Sequence, residues 1–265
     1  MTHLKFARSN VRAILQAAAT VLTGTLLAAV ATPILDQYQG GIAPAGHTDV
    51  VGDPADFDIA SMDASRTGTK FRVVMNTTFA GKAGVFGFAT YDGNGVGYGD
   101  LFLANSWTPS GAAPYATDTA FTGRHWQYGF ALDNRYSNTG GSGYLYALNG
   151  ATNDADTLLS TDFINCGAGC YRQDQAVAVD LASMSVTQLG AGPRAVDMPN
   201  KTVSLDFDLT GTTLLNDDSL ALHWDMLYAN DVIEGEVPVS APETAPLFGV
   251  GVLALIAIRR RRTKR

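Results

Sequence analysis

The middle of the chain alternates apolar and polar residues with period two, and that rhythm restricts it to β-structure before anything else is considered. In the stretch 70–79, Phe71, Val73, Met75, Thr77 and Phe79 fall on one face of an extended strand. Residues 126–132, 177–181 and 203–209 alternate in the same way. Stretches 85–91, 101–104, 143–148 and 220–227 are further strand candidates, and Gly, Asn, Asp and Ser cluster between them as hairpin chemistry requires. No segment from about Gly40 to Glu236 sustains a helical period. About ten short strands punctuated by turns imply an all-β fold, an antiparallel β-sandwich of jelly-roll type. At 265 residues the chain is long enough to bury a sizeable core. It shows no fixed-period repeat and no linker that would cut the body in two.

The two ends have a different character. Lys5, Arg8 and Arg12 precede a mostly apolar run over 13–31, and Ala29-Val30-Ala31 supplies the small-x-small pattern of a signal-peptidase site. Residues 1–31 therefore read as a secretory signal helix cleaved after Ala31, with Sec-type export and signal peptidase as its partners. An uncleaved anchor is the alternative. At the other end, 236–244 is Pro-rich and extended. An uncharged apolar run follows over 247–258, and then Arg259, Arg260, Arg261 and Arg262. Twelve helical residues span about 18 Å, well short of the roughly 30 Å hydrocarbon core. Such a short apolar helix stops transfer only marginally, helped by arginines kept on the cytoplasmic side. The expected organisation is a signal peptide over 1–31, a β-sandwich body over 32–236 and a sorting tail over 237–265.

Charge narrows the function. Nine basic residues lie between the terminal basic clusters that end at Arg12 and begin at Arg259, against all 25 acidic ones. A body this acidic has no cations with which to neutralise phosphates, which argues against nucleic acid as a partner. The only two cysteines, Cys166 and Cys170, flank Gly167-Ala168-Gly169. No further thiol or nearby His completes a metal site. A local disulfide shaping a Gly-rich loop is expected in an oxidising compartment, with reduced thiols as the alternative.

An extended Pro-Glu segment, a short apolar helix and an arginine cluster together resemble the PEP-CTERM sorting signal. That family's tails are recognised and processed by membrane-embedded exosortases near a Pro-Glu-Pro motif. Here the motif is Pro242-Glu243-Thr244, so its second proline is missing, and Pro246 lies two residues on. The resemblance implies a Gram-negative bacterium that makes exopolysaccharide. It also implies a protein held transiently at the periplasmic side of the inner membrane, then delivered to the cell surface or extracellular matrix. The stretches 52–59, 79–82, 99–103 and 126–128 look like the bodies of other such surface proteins. Leu222 to Gly235 resembles the segment that precedes their tails, with Tyr228-Ala229-Asn230 standing where Cys-Gly-Asn is common.

Within the body, chemistry-bearing patterns are sparse. Asp92, Asn94 and Asp100 place oxygen ligands on a Gly-rich loop, the arrangement from which a Ca²⁺ site is built, although a hairpin turn uses the same residues. Asp133-Asn134 and 153–156 are weaker loops of that kind. His47, His125 and His223 have no Gly-x-Ser-x-Gly elbow to serve. Asp206 and Asp208 share a strand face and could be paired with Asp225 for glycoside hydrolysis, but a solvated outer face accounts for the pair better. Among the aromatics that could stack on sugars, Trp126 and Trp224 read as core. Tyr98, Tyr115 and Tyr136 lie in loops, and Trp107, in Asn105-Ser106-Trp107-Thr108-Pro109, is the one candidate ligand-binding residue.

With no catalytic constellation, the expected function is a non-catalytic surface or matrix protein associated with exopolysaccharide. An exported hydrolase acting on polysaccharide or ester, and a Ca²⁺-stabilised adhesin, are the alternatives.

Overall fold

The computed structural model describes residues 32–41, 43–44, 46–87, 93–164 and 172–239. Signal-cleavage residues Ala29 and Ala31, Cys166 and Cys170, the Pro242-Glu243-Thr244 motif and Arg259 to Arg262 all lie outside the described residues, as does Asp92. Among the described residues no helix is long and apolar enough to cross a membrane.

Among the described residues the alternation in the sequence becomes a ladder of twelve strands with one short α-helix, α1 (Pro54–Phe57). The strands are β1 (Ile34–Leu35), β2 (Ile59–Thr67), β3 (Lys70–Thr77), β4 (Leu101–Ala104), β5 (Tyr128–Leu132), β6 (Gly141–Leu148) and β7 (Thr157–Leu159). They continue as β8 (Ala176–Val179), β9 (Val186–Asp197), β10 (Thr202–Asp208), β11 (Ser219–Asp225) and β12 (Val232–Pro238). Ten form one sheet in the order β1-β2-β3-β10-β9-β6-β5-β4-β11-β12, and β7 pairs with β8 separately. Every pairing is antiparallel.

The sheet curls until its ends meet. A Cβ added to Gly235 on β12 would stand 2.8 Å from Ile34 of β1, so the close approach of the two edge strands requires glycine there. The Ile59 amide at the start of β2 donates to Asp231 just before β12 at 2.6 Å. Near-closure shields the edges that would otherwise invite pairing with another chain.

The expected all-β, antiparallel body is what forms. Its strands make one nearly closed sheet, and the order does not by itself define the two separate sheets of a jelly roll. The expected phase is also found: Phe71, Val73, Met75, Thr77 and Phe79 are all buried, as are Val203, Leu205, Phe207 and Leu209. Phe71 and Phe207, directly opposite across β3 and β10, pack edge to face at 5.6 Å. Residues 85–87, expected in a strand, are turn and coil, whereas β2, β9 and β12 were not expected. Val237 and Val239 are buried, so the last strand runs past the boundary placed at residue 236.

β4, β5 and β11 are buried on both faces. Their inner face joins the main core through Leu101, Leu103, Phe130 and Trp224. Their outer face carries Phe102, Ala131 and Ala221, which join a second, smaller cluster with Leu159, Ala176 and Val179 of the β7–β8 ribbon. That covered outer face positions the site described next.

Candidate functional site

β11 and β12 are paired so that His223 lies opposite Glu234 and Ala221 opposite Glu236. By strand alternation all four share the outer face. The segment after β4 folds over this face, anchored where Trp107 donates from Nε1 to Glu234 at 2.8 Å and from its backbone amide to Glu236 at 3.3 Å. The same segment brings up Tyr115, whose ring meets Trp107 at 5.2 Å and 73° and Tyr38 at 5.9 Å and 30°. Tyr115 has φ +62, a left-handed backbone that a bulky residue adopts only at a cost of order 1–3 kcal/mol. It is held there by hydrogen bonds from the Tyr115 amide to Ala112 and from the Gln39 amide to Pro114. The result is a groove of about 240 Å³ walled by Leu35, Tyr38, Trp107, Tyr115, Glu234 and Glu236, with no lysine or arginine among its lining residues.

Beneath the groove lies a buried charged chain. The Tyr38 hydroxyl donates to Asp118 at 2.9 Å. Burial, followed by the Glu234 charge, pushes Asp118 up to about 6. His223 is buried, with Nδ1 2.9 Å from Glu234 Oε2 and Nε2 3.0 Å from the Ala176 carbonyl and 3.7 Å from Asp225. Both ring nitrogens face acceptors, which a neutral imidazole cannot satisfy, so His223 is an imidazolium. Burial alone would lower its pKa. The hydrogen bonds and charges of Asp225 and Glu234 outweigh burial and raise it to about 10. With no free lone pair, His223 is unsuited to act as a general base. The space at this level, about 10 Å³ between Tyr38, Asp118, Trp126, His223 and Glu234, holds roughly one water molecule.

A second acidic group sits where the chain enters the sheet. Ligand oxygens of Asp36, Asp49 and Asp231 lie within 4.8 Å of one another. Arg172, fully buried, bonds the carbonyls of Gly41, Thr48 and Asp49 beside them. One guanidinium does not balance three carboxylates. Burial first, and then the charges of Asp49 and Asp58, push Asp36 up to about 8, and Asp231 is raised well above the carboxylate range. Such a trio relieves its repulsion by keeping protons or by accepting a cation.

Of the residues expected to form a Ca²⁺ loop, Asp92 lies outside the described residues and the other two differ in burial. Asn94 is exposed, whereas Asp100 is fully buried and accepts from the amides of Leu132 and Val179 and from Arg135. Asp133 is an exposed turn residue bonded to Ser142, and Asn153 caps the 120–126 segment by bonding Ala120, Arg124 and Trp126. Asp206 and Asp208 pair with Arg72 and Lys70 across the strands at 2.7 and 3.0 Å, while Asp225 lies inside with His223. Trp126 and Trp224 are core residues, and Trp107 is half-buried at the groove. Of the site residues expected from sequence, only Trp107 is in this groove; Tyr38, Asp118, Glu234 and Glu236 were not foreseen. Tyr115, considered as a stacking platform, is beside it.

Fold and site together define an all-β body bearing an aromatic, acidic surface groove over a buried ion chain. Comparison with known proteins finds no matching family model, no similar curated protein and no similar solved structure.

Proposed function

We propose that this chain is an exported, non-catalytic surface or matrix protein whose β body binds exopolysaccharide in the groove beneath Trp107. The observation that carries the reading is the groove itself. The half-buried rings of Trp107 and Tyr115 offer stacking surface for a sugar ring, and the exposed Glu236 offers acceptors for its hydroxyls, while Tyr38 and Glu234 form the buried floor. A volume of about 240 Å³ suits one sugar unit of a chain that runs on through the open side. In this reading the signal over 1–31 exports the chain. An exosortase-type enzyme then processes the tail near Pro242-Glu243-Thr244, and the curled sheet serves as a jelly-roll-type sandwich displaying the groove at the surface. The test is retention: the detergent-solubilised full chain is passed over immobilised bacterial exopolysaccharide, with Tyr115→Leu as the groove variant. Retention lost in the variant supports the reading, and no retention of the wild type sinks it. Deletion of Arg259 to Arg262 tests the sorting half, since unchanged surface delivery would contradict it.

A hydrolase is the second reading, favoured by one observation: Glu234 and Glu236 are two carboxylates on one wall of an aromatic groove. Against it, both Glu234 oxygens accept N–H groups, from Trp107 and His223, an arrangement that suits a fixed carboxylate better than a proton donor. Release of reducing ends from polysaccharide, lost in Glu236→Gln, would establish the hydrolase and overturn the non-catalytic reading.

A further inference from the structure

We infer that the groove selects a positively charged glycan unit, the protonated amine of a partly de-N-acetylated amino-sugar polymer, over neutral or uronate-type sugars. The inference rests on the glycan-binding reading above and concerns which sugar chemistry that site takes. Three observations lead to it.

The first is the shape of the aromatic wall. Trp107 and Tyr115 meet at 73° and Tyr38 lies 30° from Tyr115, so the rings form a corner rather than a flat platform. In that edge-to-face pair one ring turns its edge to the other, and Tyr38 is buried, so Trp107 and Tyr115 leave no flat platform for a pyranose and only partial ring faces for a compact cation.

The second is the charge of the opposite wall. Glu234 and Glu236 are alternate residues of β12, hence about 6.5–7 Å apart along one face. Glu236 is exposed, and each of its oxygens accepts one bond, from Trp107 or from Ser219. Each keeps a lone pair with which to receive an ammonium group.

The third is the missing counter-charge. No lysine or arginine lines the groove. Beneath it the His223 imidazolium faces two carboxylates, Glu234 and Asp225, and Asp118 lies beside Arg124, so the carboxylates outnumber the cations there. The body as a whole is acidic, with nine basic residues against 24 acidic ones over 32–236. A uronate would bring its carboxylate against Glu234 and Glu236 with nothing to offset the repulsion. A protonated amine meets complementary potential both on approach and at contact.

The detergent-solubilised full chain is titrated calorimetrically at pH 6 with four oligomers of equal length: glucosamine, N-acetylglucosamine, glucose and galacturonate. Choline chloride is a fifth arm. The glucosamine oligomer is expected to bind about tenfold tighter than its acetylated or neutral counterparts, with no heat from the galacturonate. Glu236→Gln, at an exposed position, is expected to keep the wild-type melting temperature and to abolish most of the preference for the amine. Acetylated, neutral or acidic oligomers binding as tightly as glucosamine would overturn the inference while leaving the glycan-binding reading intact. A preference that survives in Glu236→Gln would overturn it equally. Choline binding as tightly as the oligomer would overturn the sugar assignment. No binding of any oligomer would overturn both readings.

Discussion

His223→Leu removes the cation that bridges Glu234 and Asp225 in the buried chain. His223 donates to Glu234 at 2.9 Å and to the Ala176 carbonyl at 3.0 Å, and its ring lies 5.8 Å from Phe102 and 5.5 Å from Trp126. Leucine fills most of the space but leaves Glu234 and the fully buried Asp225 without a counter-charge. Removing one partner of a buried ion pair costs about 3–5 kcal/mol. At about 2–4 °C per kcal/mol for a body of this size, the melting temperature at pH 7 should fall by roughly 6–20 °C.

The pH dependence adds a second signature. A folded-state pKa of about 10, raised from an ordinary value of 6.5, gives stability that is complete below 6.5 and lost as pH rises through 10. Wild type should therefore lose stability steadily between those limits, and His223→Leu should lack that slope. Replacing His223, Asp225 and Glu234 together by apolar residues should recover much of the loss, because no charge is then stranded. Circular dichroism melts across this pH range provide the assay. A single-variant cost below about 1 kcal/mol, or an unchanged slope between pH 7 and 10, would refute the buried imidazolium.

Other perturbations test separate parts of the structure. Asp36→Asn should stabilise the protein at pH 9 relative to pH 5 in thermal melts. The raised Asp36 pKa of about 8 means the wild type gains from this proton at low pH and loses that contribution as pH rises through 8, with Asp49, Asp58 and Asp231 repelling the charge and Arg172 only partly offsetting it. Lys201→Gly, at an exposed turn with φ +55, should raise stability by about 0.5–1 kcal/mol in denaturant titrations. Ala229→Gly at φ +46 should be close to neutral, because relief of about 1 kcal/mol of strain is offset by losing a fully buried methyl worth about 0.8 kcal/mol. Arg72→Ala breaks the pair with Asp206, about half exposed on both sides, and should shift stability by less than about 1 kcal/mol in the same titrations.

The sequence made the inner strands readable and the site mostly unreadable, for physical reasons. β3 and β10 alternate because one face meets the core, and their phase is recoverable residue by residue, whereas β5 is covered on both faces although its sequence alternates. β9 is long but mostly exposed or half-exposed and carries Gly190, Gly192 and Pro193, so its composition imitates a turn. β12 straddles the boundary between the body segment that precedes the tail and the Pro-rich stretch beginning at Glu236, so its strand character, and with it the shared face of Glu234 and Glu236, has no clear signature. The bond between Tyr38 and Asp118 joins residues 80 apart, and the pair His223–Glu234 depends on cross-strand register; neither has a local signature. Asp100 shows the converse: it stands in a Gly-rich loop pattern, yet its bonds to the buried amides of Leu132 and Val179 have no signature in that pattern. Trp107 was legible because a tryptophan in a Ser-Trp-Thr-Pro loop has no strand face to fill.

Trp107 also gives the most direct test of the groove. The protein has three tryptophans; Trp126 and Trp224 are buried in the core, and Trp107 alone lines the groove. Intrinsic fluorescence is followed while an amino-sugar oligomer is titrated into the wild type and Trp107→Phe. The account predicts a saturable spectral shift in the wild type that Trp107→Phe abolishes. No saturable shift, or an equal shift in Trp107→Phe, would contradict it.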